Sequence, residues 1–372
     1  MSKPSHKFRY IPALDGIRGV AIISVMFFHS SVWNLQGGFL GVDIFFVLSG
    51  FLISSLILKE FGEVGTINFR NFYIRRVLRL MPAMLVVLFG LWLAIFVFGN
   101  KFGTTPAIMF SSTIYTLFYS ANWVITFGLA PWPAAIVHFW SLAIEEQFYL
   151  LWPIVFFLLL KQKVKPINIV ISILVLVLIL MAWRIFLWTA QHNFARVYFS
   201  TDTRLNSLFI GCLLAIVASN DLIPKSIKNY SALILVMSVC VLVPCFFYMN
   251  NGSGFTYFFG FEIAAVLTAG MIVGVLYGQN LFTRFLEQKV LIWFGKLSYG
   301  IYLWHGVLFY FFEKIDFPFK EYKPVLFIFQ MGFSLLAACF SYYFVEKYFL
   351  QFKSRFEKQR SATKNVLQRI TT

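Results

Sequence analysis

Apolar residues run through this chain in long continuous stretches, without the short alternating segments of a strand-built barrel. A helix needs about 20 apolar residues to cross a bilayer. On that measure the pattern predicts spans near 13–33, 39–59, 80–99, 138–160, 167–189, 204–219, 231–249, 259–278, 291–312 and 324–346. A further stretch at 106–127 is interrupted by Ser, Thr, Tyr and Asn and is ambiguous. The expected fold class is an all-α integral membrane protein, a bundle of about ten transmembrane helices.

Basic residues decide between ten spans and eleven. If the N-terminus with Lys3, Lys7 and Arg9 is cytoplasmic, ten spans return the tail with Lys353, Arg355, Lys358, Arg360, Lys364 and Arg369 to the same side. They also put Arg70, Arg75, Arg76, Arg79, Lys161, Lys163, Lys165, Lys225, Lys228, Arg284 and Lys289 there, as the positive-inside rule asks. An eleventh span would throw the lysines of 161–165 and the tail outside, so 106–127 is read as an interfacial or re-entrant piece on the outer side. The first apolar run lacks a small-residue cleavage site and carries Asp15 and Arg18, which suits a retained helix better than a signal peptide. The expected organisation is one membrane domain over 1–350 and a basic cytoplasmic tail over 351–372.

Composition agrees. Of the 372 residues 60% are apolar and 12% charged, where soluble domains average roughly 45–50% and 25%; mean hydropathy is +0.78. The net charge of +16 would suggest nucleic acid in a soluble protein. Here loop topology accounts for it, and the bilayer is the partner, with no nucleic acid expected. Cys212, Cys240, Cys245 and Cys339 all fall in apolar runs, with no spacing that suits a metal or a disulfide framework.

Ionisable groups inside apolar spans cost at least roughly 2.5–3.5 kcal/mol each and are candidates for function. Arg18 and His29 are eleven residues apart, which puts them on one helix face about 16 Å apart along the axis, with Asp15 in the same stripe. Asp43 follows the turn at Gln36, Gly37 and Gly38, and counting outward from that turn gives it the depth of His29. A carboxylate beside an imidazole would orient a general base; the alternative is two separate polar residues at a watery mouth. His138, Ser141, Glu145 and Tyr149 share a helix face, with Glu146 turned about 100° away. Glu145 counts to nearly the depth of His29, and the pair Glu145 and Glu146 is either catalytic or an interhelical hydrogen-bonding pair. His305, with Tyr302 one turn below, reaches the same layer, or is a satisfied packing residue. On the other side Arg70, Arg75, Arg76 and Arg79 precede a span without any lysine, which suits bidentate phosphate binding as well as topology.

Six segments in order resemble the acyltransferase family 3 of bacterial integral-membrane proteins, which includes O-antigen, exopolysaccharide and nodulation-factor O-acetyltransferases. They are LDGIRGVAIISVMFFH (14–29), GGFLGVDIFFVLSGFLI (37–53), FYIRRVLRLMP (72–82), HFWSLAIEEQFYLLWP (138–153), GKLSYGIYLWH (295–305) and SYYFVEKYF (341–349). The family's arginine–histidine pattern falls on Arg18 and His29, and its RxxR on Arg76 and Arg79. Some relatives append an extracytoplasmic hydrolase-like domain, whereas this chain continues as a basic tail, and Tyr348 stands where proline is common.

The resemblance implies ten spans, a cytosolic acyl-CoA donor and a sugar hydroxyl as acceptor. The reading that follows is a multi-pass enzyme of the bacterial inner (plasma) membrane with both termini cytoplasmic. It would move an acyl group, most simply acetyl, from acyl-CoA to a carbohydrate or lipid-linked glycan. Acetyl-CoA or another acyl-CoA would be a co-substrate, with no permanently bound cofactor, and the activated thioester needs no metal. His29 is the expected base, Asp43 its orienter and Glu145 a third catalytic group; Arg18, Arg76 and Arg79 would bind the donor. Glu146, Tyr149, Tyr302 and His305 would line the acceptor side. A proton-coupled transporter or flippase of a lipid-linked glycan is the alternative, since intramembrane charges suit that role too.

Overall fold

The ten apolar stretches fold as ten long helices joined by short ones in a computed structural model that describes residues 10–30, 35–99, 103–315, 318, 320–349, 351 and 352. The long helices are α1 (Pro12–His29), α2 (Gly41–Val64), α3 (Phe69–Phe98), α6 (Phe139–Lys161), α7 (Pro166–Gln191), α9 (Thr201–Ser219), α11 (Ser231–Tyr248), α12 (Phe261–Tyr277), α14 (Lys289–Lys314) and α15 (Lys323–Phe340). Between them lie α4 (Pro106–Leu117), α5 (Ala121–Phe127), α8 (Phe194–Tyr198), α10 (Lys225–Asn229) and α13 (Leu281–Leu286). No strand occurs among the described residues. Lys3, Lys7 and Arg9, and the tail from Lys353 through Arg369, lie outside the described residues.

Nine helices among the described residues are long and apolar enough to cross a membrane. The tenth, α14, has 26 residues, but its Tyr, Trp, His and Lys residues dilute its hydropathy. The ambiguous stretch 106–127 becomes α4, of 12 residues, and α5, of 7. At 1.5 Å per residue neither reaches across the roughly 30 Å hydrocarbon core. The first helix is shorter than its apolar run, because α1 ends at His29 and Ser30 turns extended with φ −84° and ψ 145°. His29 is therefore the last helical residue and not a residue one turn inside.

The helices sort into a buried centre and a lipid-facing rim. In α2, 78% of the span is buried inside the protein, against 28% in α7 and in α11. Centre helices need small residues where backbones cross. A Cβ at Gly50 of α2 would lie 1.9 Å from the Leu208 carbonyl oxygen of α9, and one at Gly211 of α9 would lie 2.1 Å from that of Val47. Rim helices instead expose Phe89, Phe96, Leu178 and Ile179. In water such residues would be a liability; against acyl chains they are the matching surface.

Candidate functional site

One cavity, partly open to the surroundings, gathers most of the polar residues singled out above. Its walls come from α1 (Arg18), α2 (Ser49), α3 (Arg76, Arg79), α6 (Glu145, Glu146, Tyr149) and α14 (Tyr302). The arginines of α3 do not act alike. Arg75 pairs with Glu60 at 3.9 Å, and Arg70 is exposed. Arg76 donates to Glu146 at 2.6 Å and lies 3.2 Å above the Tyr149 ring.

Arg18 and Arg79 line the cavity without a hydrogen-bonded or ion-paired carboxylate among the described residues. The Nε of Arg18 is buried and has no partner. Each guanidinium feels the other's charge. The two guanidinium groups share one recess, and the Asp15 and Glu145 carboxylates act on Arg18 through space as well. Asp15, expected in the same stripe, accepts from Tyr10 at 2.7 Å and does not line the cavity.

Glu145 is in this cavity and not beside His29. Its Oε1 accepts from the hydroxyls of Ser49 and Tyr149, the latter at 2.8 Å. Counting depth from the two helix ends misplaces it because α1 stops at His29, which meets His138, the residue just before α6, through the ring of His305 between them. Glu145 lies seven residues further along α6, or about 10 Å deeper. Glu146 and Tyr149, expected on the acceptor side, hold Arg76 within the same cavity.

The histidines form a separate group. The ring centroids of His29 and His305 are 5.0 Å apart, and those of His138 and His305 are 4.8 Å apart. Each ring has one nitrogen against a backbone carbonyl: His29 Nδ1 on Val25 at 2.9 Å, His138 Nε2 on Leu303 at 3.2 Å, and His305 Nδ1 on Tyr302 at 2.6 Å. A carbonyl only accepts, so in each ring that nitrogen carries the hydrogen and, in the neutral ring, the other keeps a lone pair. For His305 this second nitrogen, Nε2, is buried and has no partner. Of these three histidines His29 is the exposed one.

The expected pairing of His29 with Asp43 is corrected. Asp43 accepts from Arg204 at 2.9 Å and from Ser207 at 2.8 Å, both on α9, and is 1% exposed. Equal depth says nothing of rotation about the helix axis, and Asp43 faces α9. A buried guanidinium there takes the carboxylate, since either charge alone would be costly. His29 owes its tautomer to its own helix backbone instead.

Arg204 and a second buried arginine were not among the predicted site residues. Arg184 on α7 binds both oxygens of Glu262 at 2.6 and 2.5 Å and two carbonyls besides. Arg204 also lies 3.6 Å over the Phe261 ring. A usable signal existed: arginines inside apolar spans require partners, and Asp43 and Glu262 are acidic residues inside other spans.

A family profile described as "Acyltransferase domain" matches residues 11–344. The O-acetyltransferase OatA of Staphylococcus aureus (strain NCTC 8325 / PS 47) is 35% identical over 353 residues, covering 91% of this chain and 57% of that protein. YrhL of Bacillus subtilis (strain 168), named as a candidate peptidoglycan O-acetyltransferase, is 35% identical over 356 residues, 91% of this chain and 55% of its own length. A candidate O-acetyltransferase of Staphylococcus aureus (strain COL) is 34% identical with 91% and 57% covered. The chain thus spans little more than half the length of these relatives. No solved structure matches it.

Proposed function

The chain belongs to acyltransferase family 3, and from that premise we propose that it transfers an acyl group, acetyl in the first instance, from acyl-CoA to a hydroxyl of a cell-surface carbohydrate or its lipid-linked precursor. The observation that carries the donor is that Arg18, whose buried Nε has no partner, and Arg79 share one cavity with Arg76, neither of the two hydrogen-bonded or ion-paired to a carboxylate among the described residues. CoA phosphates are the anions that suit them. Glu145 offers an acceptor to the amide N–H groups of the pantetheine arm. The names of the relatives favour acetyl as the acyl group, and that of YrhL favours a peptidoglycan-like acceptor.

In this reading the donor enters from the cytosol at the basic loops, both termini are cytoplasmic, and the membrane is the bacterial plasma membrane. The acceptor approaches the exposed His29. His29 Nε2 takes the hydroxyl proton while that oxygen attacks the thioester carbonyl. The C–S bond then breaks, the acyl group stays on the sugar oxygen, and the CoA thiolate leaves with one proton taken up. General-base help of this kind is worth about 10²–10⁴-fold in rate.

Purified protein in detergent should consume acetyl-CoA only when a glycan acceptor is added, and His29→Ala should lower transfer by about 10²-fold or more with CoA affinity unchanged. No consumption with any acyl-CoA and a panel of glycans would leave the transporter or flippase reading in its stead. Transfer that survives His29→Ala would pass the base role to His305.

A further inference from the structure

Arginine cavity and histidine group are neighbours, and the lining of the cavity includes none of the three histidines. On α6 the cavity lining runs from Tyr149 through Glu145 to Ser141 and stops one turn short of His138. On α14 it runs from Ser298 to Tyr302 and stops one turn short of His305. What stands between is a pair of hydroxyls, with Ser141 Oγ 2.6 Å from the Tyr302 oxygen and the latter 2.7 Å from the His138 carbonyl. A carbonyl only accepts, and the His138 carbonyl is also 3.4 Å from Ser141 Oγ, so whichever hydroxyl donates to the other, each has an acceptor within this group. Both hydrogens are spent, and the two residues are 5% and 4% exposed. A pair so occupied is a poor ligand group and a good seal.

A seal is needed at this point. Water is a nucleophile as competent as a sugar hydroxyl, and a base as exposed as His29 would activate either one. Discrimination must come from what reaches the thioester, and when. We propose that the Tyr302–Ser141 pair is a septum that determines acceptor specificity: it keeps the thioester in the cavity apart from His29 and bulk water, and Tyr302 swings aside once an acceptor is seated. Ser141 braces Tyr302 from α6, so closure depends on contact between two helices that both line the cavity. The inference rests on the donor reading above, and its test has one arm that does not.

That arm is accessibility. With the four native cysteines replaced by alanine, Ser49→Cys reports on the cavity, since Ser49 lines it and the exchange is nearly isosteric. In right-side-out and inverted membrane vesicles a small charged thiol reagent should label this cysteine from one face only. Adding Tyr302→Ala should open it to both faces. The second arm is chemical: in Tyr302→Ala saturated with acetyl-CoA, hydrolysis without glycan should rise about tenfold or more. Ser141→Ala keeps the bulk of the phenol and should give a smaller rise; it serves if Tyr302→Ala does not fold. Labelling from both faces in the parent, labelling from one face in a folded Tyr302→Ala, or hydrolysis that stays at the parent rate in a protein that binds CoA would each overturn the septum. A parent that binds no CoA yet shows the labelling switch would keep the septum and remove the donor reading.

Discussion

Two sets of arginines lie inside this bundle, and what faces them is different. Around α9 every charge is met: Arg204 by Asp43 at 2.9 Å and Arg184 by Glu262 at 2.5 Å, with Asn206 adding a bond of 2.7 Å to the same carboxylate. Parts of Arg204 without hydrogen bonds lie against the rings of Phe261, Trp140 and Tyr198. Around the cavity neither Arg18 nor Arg79 has a hydrogen-bonded or ion-paired carboxylate among the described residues, and the nearby acids act on them only through space. The same fold thus pairs its charges tightly in one place and leaves them open a few helices away. Paired charges fix the packing of α2, α7, α9 and α12. Under the proposed function the unpaired ones receive the CoA phosphates.

The comparison breaks most readily at the paired end. Removing one partner strands a charge in a dry interior, at about 3–5 kcal/mol. Asp43→Ala or Arg204→Ala should therefore lower the melting temperature in detergent sharply, with any activity lost through unfolding. The double change Asp43→Leu with Arg204→Met should recover much of the stability, because apolar replacement of a buried pair is often neutral or better. If Asp43→Asn melts like the parent and loses only transfer, Asp43 serves the chemistry and the distinction drawn between the two sets collapses.

At the open end the expectation reverses. Arg18→Gln or Arg79→Gln removes a repulsion between like charges, so the melting temperature should hold or rise. CoA affinity should fall, since a charge-assisted contact is worth about 1.5–3 kcal/mol, or roughly ten- to more than a hundredfold. Calorimetric titration with CoA on both variants measures it. Unchanged affinity with a lower melting temperature would move these arginines into the structural set.

How much of this was legible beforehand follows from what periodicity records. Helix existence was, because apolar runs of span length have one solution in lipid, and the charge of the 161–165 loop was enough to demote 106–127. Depth was legible only as far as helix ends were. The apolar run past Ser30 hid the stop of α1, and that error carried Glu145 to the wrong layer. Rotation was not legible at all: Asp43 and His29 count to one depth, yet Asp43 faces α9. Short helices such as α10 and α13 carry too few residues for a period to stand out. Arg76 and Arg79 look equivalent as an RxxR motif, and only the position of Glu146 on another helix separates them.

That separation gives the smallest effect, and its sign is informative. Arg76 is already half-committed: Glu146 holds it at 2.6 Å, the Tyr149 ring carries its face, and the pair is partly exposed, at 19% and 15%. Its charge toward a phosphate is therefore discounted, while Glu146 itself repels any anion in the cavity. Glu146→Gln keeps the shape, frees the guanidinium and removes the repulsion. CoA should then bind tighter, by about 1 kcal/mol or roughly fivefold, the scale of a partly exposed ion pair, and the gain should shrink as salt screens it. Arg76→Gln should cost less affinity than Arg79→Gln for the same reason. If Glu146→Gln weakens CoA binding instead, Glu146 matters as the brace that aims Arg76, and the three arginines act as one constellation in which pairing is part of the site.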